Sequence, residues 1–155
     1  MVDFFLSGIC AFFGHRDTPM IGPIERHLTE VLRTMILKGV NEFWLCEEGT
    51  FNCLTRIVAK DLRQEFPWIL LRIFPAYYPS YAKMDWFSDN DYDLFYPDEM
   101  QKVPPRLAIL RRNKYIAQNA DYIVCYVKRA SGGAFKAMKE AQKYDKKIIN
   151  LAEYV

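Results

Sequence analysis

Apolar and polar residues follow one another along the chain in blocks that predict strands and helices in turn. The continuous apolar run 9–13 ends at Gly14, as expected of a strand buried on both faces of a parallel sheet. Pro23 suits the first turn of a helix, and apolar residues then recur at helical spacing until Gly39. The pattern therefore predicts a strand followed by a long amphipathic helix.

The same order of elements continues toward the carboxyl end. The pattern predicts, in chain order, a strand over 43–46, a helix ending at Phe66, a strand over 69–74, a helix over 106–119, a strand over 122–127, a helix over 133–144 and a strand over 148–151. Alternating strands and helices imply a parallel sheet with right-handed crossovers. We expect an α/β fold of about five strands, formed by residues 1–155 as a single domain.

The segment 75–105 breaks this pattern, with scattered prolines, acids and aromatic residues. A loop of such length usually works as a lid or a contact surface. Its aromatic residues are suited to stack on a base, to form a subunit contact or to anchor the loop, and we favour anchoring and self-association. They are Tyr77, Tyr78, Tyr81, Trp86, Phe87, Tyr92, Phe95 and Tyr96.

Three alternating acids in this segment look like the start of a calcium loop. However, Leu94 stands where that loop needs glycine, and Met100 where it needs the bidentate glutamate. We expect Asp89, Asp91 and Asp93 to be solvated loop residues, and we expect neither a metal site nor a resident cofactor.

Composition and charge narrow the function classes. The net charge is only +2, and no basic stripe appears, which disfavours nucleic acid as a partner. No run is long and apolar enough to cross a membrane, and no secretory leader is evident. Cys10, Cys46 and Cys125 lie in apolar strand-like runs without C-x-x-C spacing, as expected of buried thiols in a reducing cytoplasm.

Two short glycine-bearing segments follow predicted strands, Gly14-His15-Arg16 and Ser131-Gly132-Gly133. At the carboxyl ends of parallel strands, helix N-termini offer unpaired backbone N–H groups to anions. We predict that the two segments form walls of one anion-binding crevice. There Arg16 is suited to clamp a phosphate, and His15 to donate a hydrogen bond or act as acid or base. The alternative is that both side chains only tie loops together.

Five stretches together resemble the YpsA-like branch of the SLOG superfamily. They are 11–16 (Ala-Phe-Phe-Gly-His-Arg), 95–112, 120–124, 131–133 and 146–151. The resemblance implies a Rossmann-like, doubly wound sheet whose crevice binds nucleotides or nucleotide-derived molecules, and it implies no settled reaction. Fold-level analogy alone does not establish function.

The turn 47–52 departs from that family. It resembles a Gly-x-Phe-Asp element, but Gly49-Thr50-Phe51-Asn52 ends in Asn, and Glu47-Glu48 stand where residues are often small. Two carboxylates would repel a phosphate unless a cation, a ribose hydroxyl or a base amino group meets them. The alternative is a pair of solvated acids, with Thr50 or Asn52 as a helix cap.

The order of Arg112-Asn113 and the later glycine pair resembles the LONELY GUY phosphoribohydrolases. Of their P-G-G-x-G-T-x-x-E motif, this chain keeps only the two central glycines, and Lys139 occupies the place of the acid. Glu140 is one position along and rotated by about 100° on a helix. The resemblance therefore implies binding roles for Arg112, Asn113 and Ser131-Gly132-Gly133 and no catalytic residue; helix capping and close packing are the alternative.

These observations lead us to expect binding or sensing of a phosphate-bearing, nucleotide-like small molecule at the strand ends by a cytoplasmic homo-oligomer. The first alternative is hydrolysis of a glycosidic or phosphate bond, with Glu47, Glu48 or Glu140 as acid or base. A DNA-associated adaptor is a third class. Thiol catalysis by Cys46 with His15 lacks a motif that would fix its geometry, and we do not favour it.

Overall fold

A computed structural model of the chain describes residues 8–78 and 91–154. The strands in this part are β1 (Ile9–Gly14), β2 (Glu42–Leu45), β3 (Leu70–Ile73), β4 (Asp93–Leu94), β5 (Tyr122–Tyr126) and β6 (Lys147–Asn150). The α-helices are α1 (Gly22–Leu37), α2 (Gly49–Glu65), α3 (Ala108–Asn119) and α4 (Gly133–Lys143). Short 3₁₀ turns lie at Asp98–Lys102, Pro105–Leu107 and Leu151–Glu153.

All six strands join one parallel sheet in the order β4-β3-β2-β1-β5-β6. From the central strand β1 the chain extends outward through β2, β3 and β4, and then returns to the other side of β1 with β5 and β6. The fold is therefore α/β, Rossmann-like and doubly wound, as predicted. The strand order reverses between β1 and β5, which is where such sheets open a crevice at the carboxyl ends of their strands.

The sheet carries a hydrophobic core on each face. Neighbouring residues of β1 point to opposite faces, so Phe12 packs in the core with α1 and α2, and Phe13 packs in the core with α3 and α4. Leu28 of α1 and Ile116 of α3 are both fully buried. Because β1 is buried on both faces, its sequence is continuously apolar, and this signal made it predictable.

The expectation of about five strands was one short, because β4 lies inside the segment 75–105 that we expected to be irregular. A strand of two residues has no periodicity to recognise. This strand is fixed by tertiary contacts of the next residue, Phe95. The Phe95 N–H donates to the Ile73 carbonyl at 2.8 Å. The centroid of the Phe95 ring lies 4.9 Å from that of the Trp44 ring and 5.1 Å from that of the Phe74 ring. A 3₁₀ turn precedes α3, so this helix begins at Ala108, two residues later than predicted.

The aromatic residues of this segment differ in their surroundings. Phe95 and the buried Tyr92 anchor the described part, whereas Tyr77 and Tyr78 are exposed. Asp91 forms ion pairs with Lys60 and Arg63, at 2.9 and 3.2 Å. The expectations for Tyr81, Trp86, Phe87 and Asp89 fall outside the described residues.

Cys10, Cys46 and Cys125 are buried and unpaired, as predicted, and Cys53 is half-buried. None of the helices in residues 8–78 and 91–154 has the length and apolar character that crossing a bilayer requires.

Candidate functional site

The turns that follow β1, β2 and β5 meet the first half of α3 around a cavity of about 350 Å³ at the carboxyl edge of the sheet. We call this cavity the crevice. The predicted site residues that line it are Gly14, His15, Arg16, Asn52, Arg112, Asn113, Ser131, Gly132 and Gly133. The two glycine-bearing segments, far apart in sequence, therefore lie on one cavity, together with Arg112.

Gly49 and Thr50 do not line the crevice, although we predicted them as binding residues. Gly49 has φ +87°, and a Cβ on it would lie 2.7 Å from the Cα of Arg16. The Thr50 N–H donates to the Arg16 carbonyl at 2.9 Å, and its hydroxyl lies 2.8 Å from that oxygen and 2.7 Å from the Thr18 carbonyl. Both residues support, from behind, the loop that carries Arg16.

His15 connects the turn after β1 to the turn after β5. Its Nε2 accepts hydrogen bonds from the backbone N–H groups of Lys128 and Arg129, at 2.9 and 3.1 Å. Burial and the charge of Arg129 lower the pKa of His15. The imidazole is therefore neutral with its proton on Nδ1, and the nitrogen already engaged by two amides is not a free acid or base. The side chain ties loops together, which was the alternative weighed from the sequence.

The mouth of the crevice carries one paired and one unpaired arginine. Arg129, which the sequence analysis overlooked, pairs with Asp17 at 2.8 Å, and this contact holds the pKa of Asp17 below its ordinary value. The exposed Arg16 has no side-chain hydrogen bond or ion pair with any residue in 8–78 or 91–154. Its guanidinium remains available to an anion.

The N-terminus of α4 forms the opposite wall. Gly132 has φ +90° and accepts the first helical hydrogen bond, from Lys136 N–H at 3.1 Å. The N–H groups of Gly133, Ala134 and Phe135 therefore have no acceptor within the helix. A Cβ on Gly132 or Gly133 would meet nothing within 4 Å, so the backbone here faces open space. This end of the helix also carries the positive end of its dipole.

The floor of the crevice contains a buried ion pair. Arg112 is 3% exposed, and its Nη2 contacts a carboxylate oxygen of Glu48. Asn113 Oδ1 accepts from Nε and Nη2 of the same guanidinium, at 3.3 and 3.2 Å. Burial acts to lower the pKa of Arg112. The electrostatic effects of Cys46 and Glu48 are larger, and they leave this pKa above its ordinary value. The cation that we expected to face a phosphate is thus largely neutralised by Glu48.

Asn52 lies beside this pair with 8% exposure. It does not cap α2, because the cap residue is Glu48, which makes no side-chain capping bond. Its Nδ2 donates to the Glu48 carbonyl at 2.6 Å. Its Oδ1 and the Nη1 of Arg112 are both buried without a hydrogen-bond partner among the described residues. The alternative weighed from the sequence, that Thr50 or Asn52 caps α2, is therefore wrong, since both side chains make other contacts.

The groups proposed for catalysis are not assembled here. Glu47 does not line the crevice; burial and repulsion from Glu48 raise its pKa. Glu140 also lies outside it and pairs with Lys143 at 3.5 Å. Cys46 does line the crevice, but burial raises its pKa to about 11, which keeps it a thiol near neutrality. Among the described residues, the carboxylates on the crevice are Asp17 and Glu48, and each is paired with an arginine.

The sequence pattern also held a signal for Arg129, which was not predicted as a site residue. Arg129 lies three residues after the end of β5 and two residues before Ser131, and the end of a parallel strand is itself the signal for such a position. Within the described ranges, no group of three or more His, Cys, Asp or Glu side chains is placed to hold a metal ion.

The fold and the crevice define a Rossmann-like α/β protein with a pocket at its strand ends that is basic at the mouth and charge-balanced at the floor. Comparison of the chain with models of known protein families gives no match, and comparison with curated proteins gives none either. The geometry of the crevice is therefore the evidence for function.

Proposed function

We propose that the crevice binds a phosphate-bearing, nucleotide-like small molecule, so that the protein acts by binding or sensing it. The observation that carries the proposal is the pairing of two anion-attracting elements on one cavity. These are the uncommitted guanidinium of Arg16 and the open N-terminus of α4. Backbone N–H groups at a helix start and a nearby arginine are a recurrent means of holding phosphate.

The size of the cavity supports a small ligand. Its volume of about 350 Å³ lies in the lower part of the range of small-molecule sites. The resemblance to the SLOG superfamily implies the same class of ligand, and this assignment stays a prediction. Self-association and a cytoplasmic location also stay predictions.

Binding is favoured over hydrolysis because of the state of the acids. A general acid or base needs a carboxyl group free to exchange a proton with the substrate. Asp17 and Glu48 are both held by arginines, and Glu47 and Glu140 lie outside the crevice. Incubation of AMP with the protein, followed by chromatography, should show no turnover above a buffer control.

Calorimetric titration with AMP tests the proposal. Arg16→Ala should weaken binding about tenfold or more, because a charge-assisted hydrogen bond is lost, and should leave the melting temperature unchanged. Arg26→Ala is the matched control, since it removes an exposed arginine from α1, outside the crevice. Equal affinity of the folded Arg16→Ala variant and the wild type would contradict the proposal.

A further inference from the structure

We infer that the floor of the crevice recognises a neutral group of the ligand that both donates and accepts hydrogen bonds, while the phosphate stays at the mouth. The floor is formed by Glu48, Asn52 and Arg112. This inference rests on the proposed function and goes further, since it assigns the two ends of the ligand to different parts of the crevice.

Charge separates the two parts. At the floor, the buried guanidinium of Arg112 contacts the carboxylate of Glu48, so the two charges offset each other. Little water is present there to screen a further charge. A phosphate brought there would face the Glu48 carboxylate at close range. At the mouth, Arg16 and the N–H groups of α4 have no such acid paired with them. An anionic group is therefore favoured at the mouth and disfavoured at the floor.

Three atoms of the floor are buried without a hydrogen bond among the described residues. Glu48 Oε1 is one of them and contacts the Arg112 guanidinium as an ion pair, so the other two show what the floor lacks. Arg112 Nη1 carries protons and finds no acceptor, and Asn52 Oδ1 is an acceptor that finds no donor. The orientation of the amide is fixed, because its Nδ2 donates to the Glu48 carbonyl. Buried polar groups are normally hydrogen-bonded, and Asn52 and Arg112 both line the crevice, so a partner that enters the crevice would explain both unpaired groups.

The missing partner must accept from Arg112 and donate to Asn52. A sugar hydroxyl does both with one atom, and the edge of a nucleobase does both with neighbouring amino and ring nitrogen atoms. An apolar group would leave both protein atoms unpaired, and a fully ionised anion supplies no donor for Asn52. Glu48 and Asn52 are also among the residues at which this chain departs from the family it resembles, so the preference belongs to this chain's own residues.

The test combines a variant of the protein with variants of the ligand. Calorimetry would measure the affinity of the wild type and of Asn52→Leu, which removes the amide at similar size, for AMP and for inorganic phosphate. We expect Asn52→Leu to weaken AMP binding about tenfold and to leave phosphate binding within twofold. Asn119→Leu, which alters an asparagine at the end of α3 outside the crevice, is the matched control.

Two AMP analogues then locate the neutral group. One lacks both ribose hydroxyls (the 2′,3′-dideoxy compound) and the other lacks the 6-amino group of the base. If the floor reads the sugar, the effect of Asn52→Leu disappears with the 2′,3′-dideoxy compound; if it reads the base, it disappears with the compound that lacks the amino group. These measurements include the wild type with all ligands, so they do not depend on the stability of the variant alone.

The outcomes separate this inference from the proposal beneath it. If the wild type binds AMP and Asn52→Leu binds it equally well, or if the variant weakens phosphate as much as AMP, the inference is overturned and the proposed function survives. The same loss with AMP and with both analogues would overturn it too, because Asn52 would then read neither group. Absence of any binding of AMP and phosphate to the wild type would overturn both.

Discussion

His15 and Arg112 show how a side chain's role is set by its partners. An imidazole after a strand suits a ligand contact, yet two backbone N–H groups occupy Nε2 of His15 and make it a connector of turns. A guanidinium near a phosphate-binding turn suits an anion clamp, yet Glu48 neutralises that of Arg112. The sequence identified both positions on the crevice. It did not reveal their roles, because the partners come from segments distant in the chain.

The neutral state of His15 predicts a dependence of stability on pH. Because the folded pKa lies below the ordinary value of 6.5, the unfolded chain binds more protons at mildly acidic pH. The contribution of His15 is fully present above the unfolded pKa and is lost as the pH falls below it. Protonation would also turn Nε2 into a donor facing two N–H donors.

Thermal melts between about pH 8 and about pH 5 check this prediction. The wild type should lose more stability on acidification than His15→Gln does. A pH response that is the same in His15→Gln and the wild type would rule out this role.

At the scale of elements, the long amphipathic helices and the buried strands were predictable, because their periodicity is strong. β4 was not, since so short a strand is fixed by its pairing with β3 and by the ring contacts of Phe95, which follows it. The start of α4 was predictable from its glycines. The exposure of this helix start to the crevice depends on the pairing of β5 with β1. The sequence indicates that pairing only through the order of the strands and helices.

The N-terminus of α4 should tolerate a proline that removes one of its donors. Gly133 is the first helical residue, a position where proline fits and where its missing N–H breaks no helical hydrogen bond. We expect Gly133→Pro to fold with a melting temperature near that of the wild type and to bind inorganic phosphate several-fold more weakly. Gly133→Ala retains the N–H and places its methyl group in open space, so it serves as the control. Equal phosphate affinity of the two variants would show that this N–H is not used.

At the scale of the whole molecule, the sheet topology creates the crevice. β1 and β5 are adjacent in the sheet although more than 100 residues separate them in sequence, and their following turns diverge to opposite faces. This placement brings Arg16 and the start of α4 to the two sides of one cavity. The alternation of strands and helices in the sequence predicted the parallel sheet. The balance of charge inside the crevice could not be predicted in this way, because it depends on which side chains the fold brings together.

The proposed function places a phosphate ester between the turn after β1 and the start of α4. Titration of isotopically labelled protein with AMP, followed through the amide chemical shifts, would map this binding. We expect saturable shifts at Gly14, Arg16 and Gly132–Phe135 together with the side-chain amide of Asn52. Shifts centred instead on the separate groove beside Leu107 and Leu110, or no shifts at saturating AMP, would contradict it.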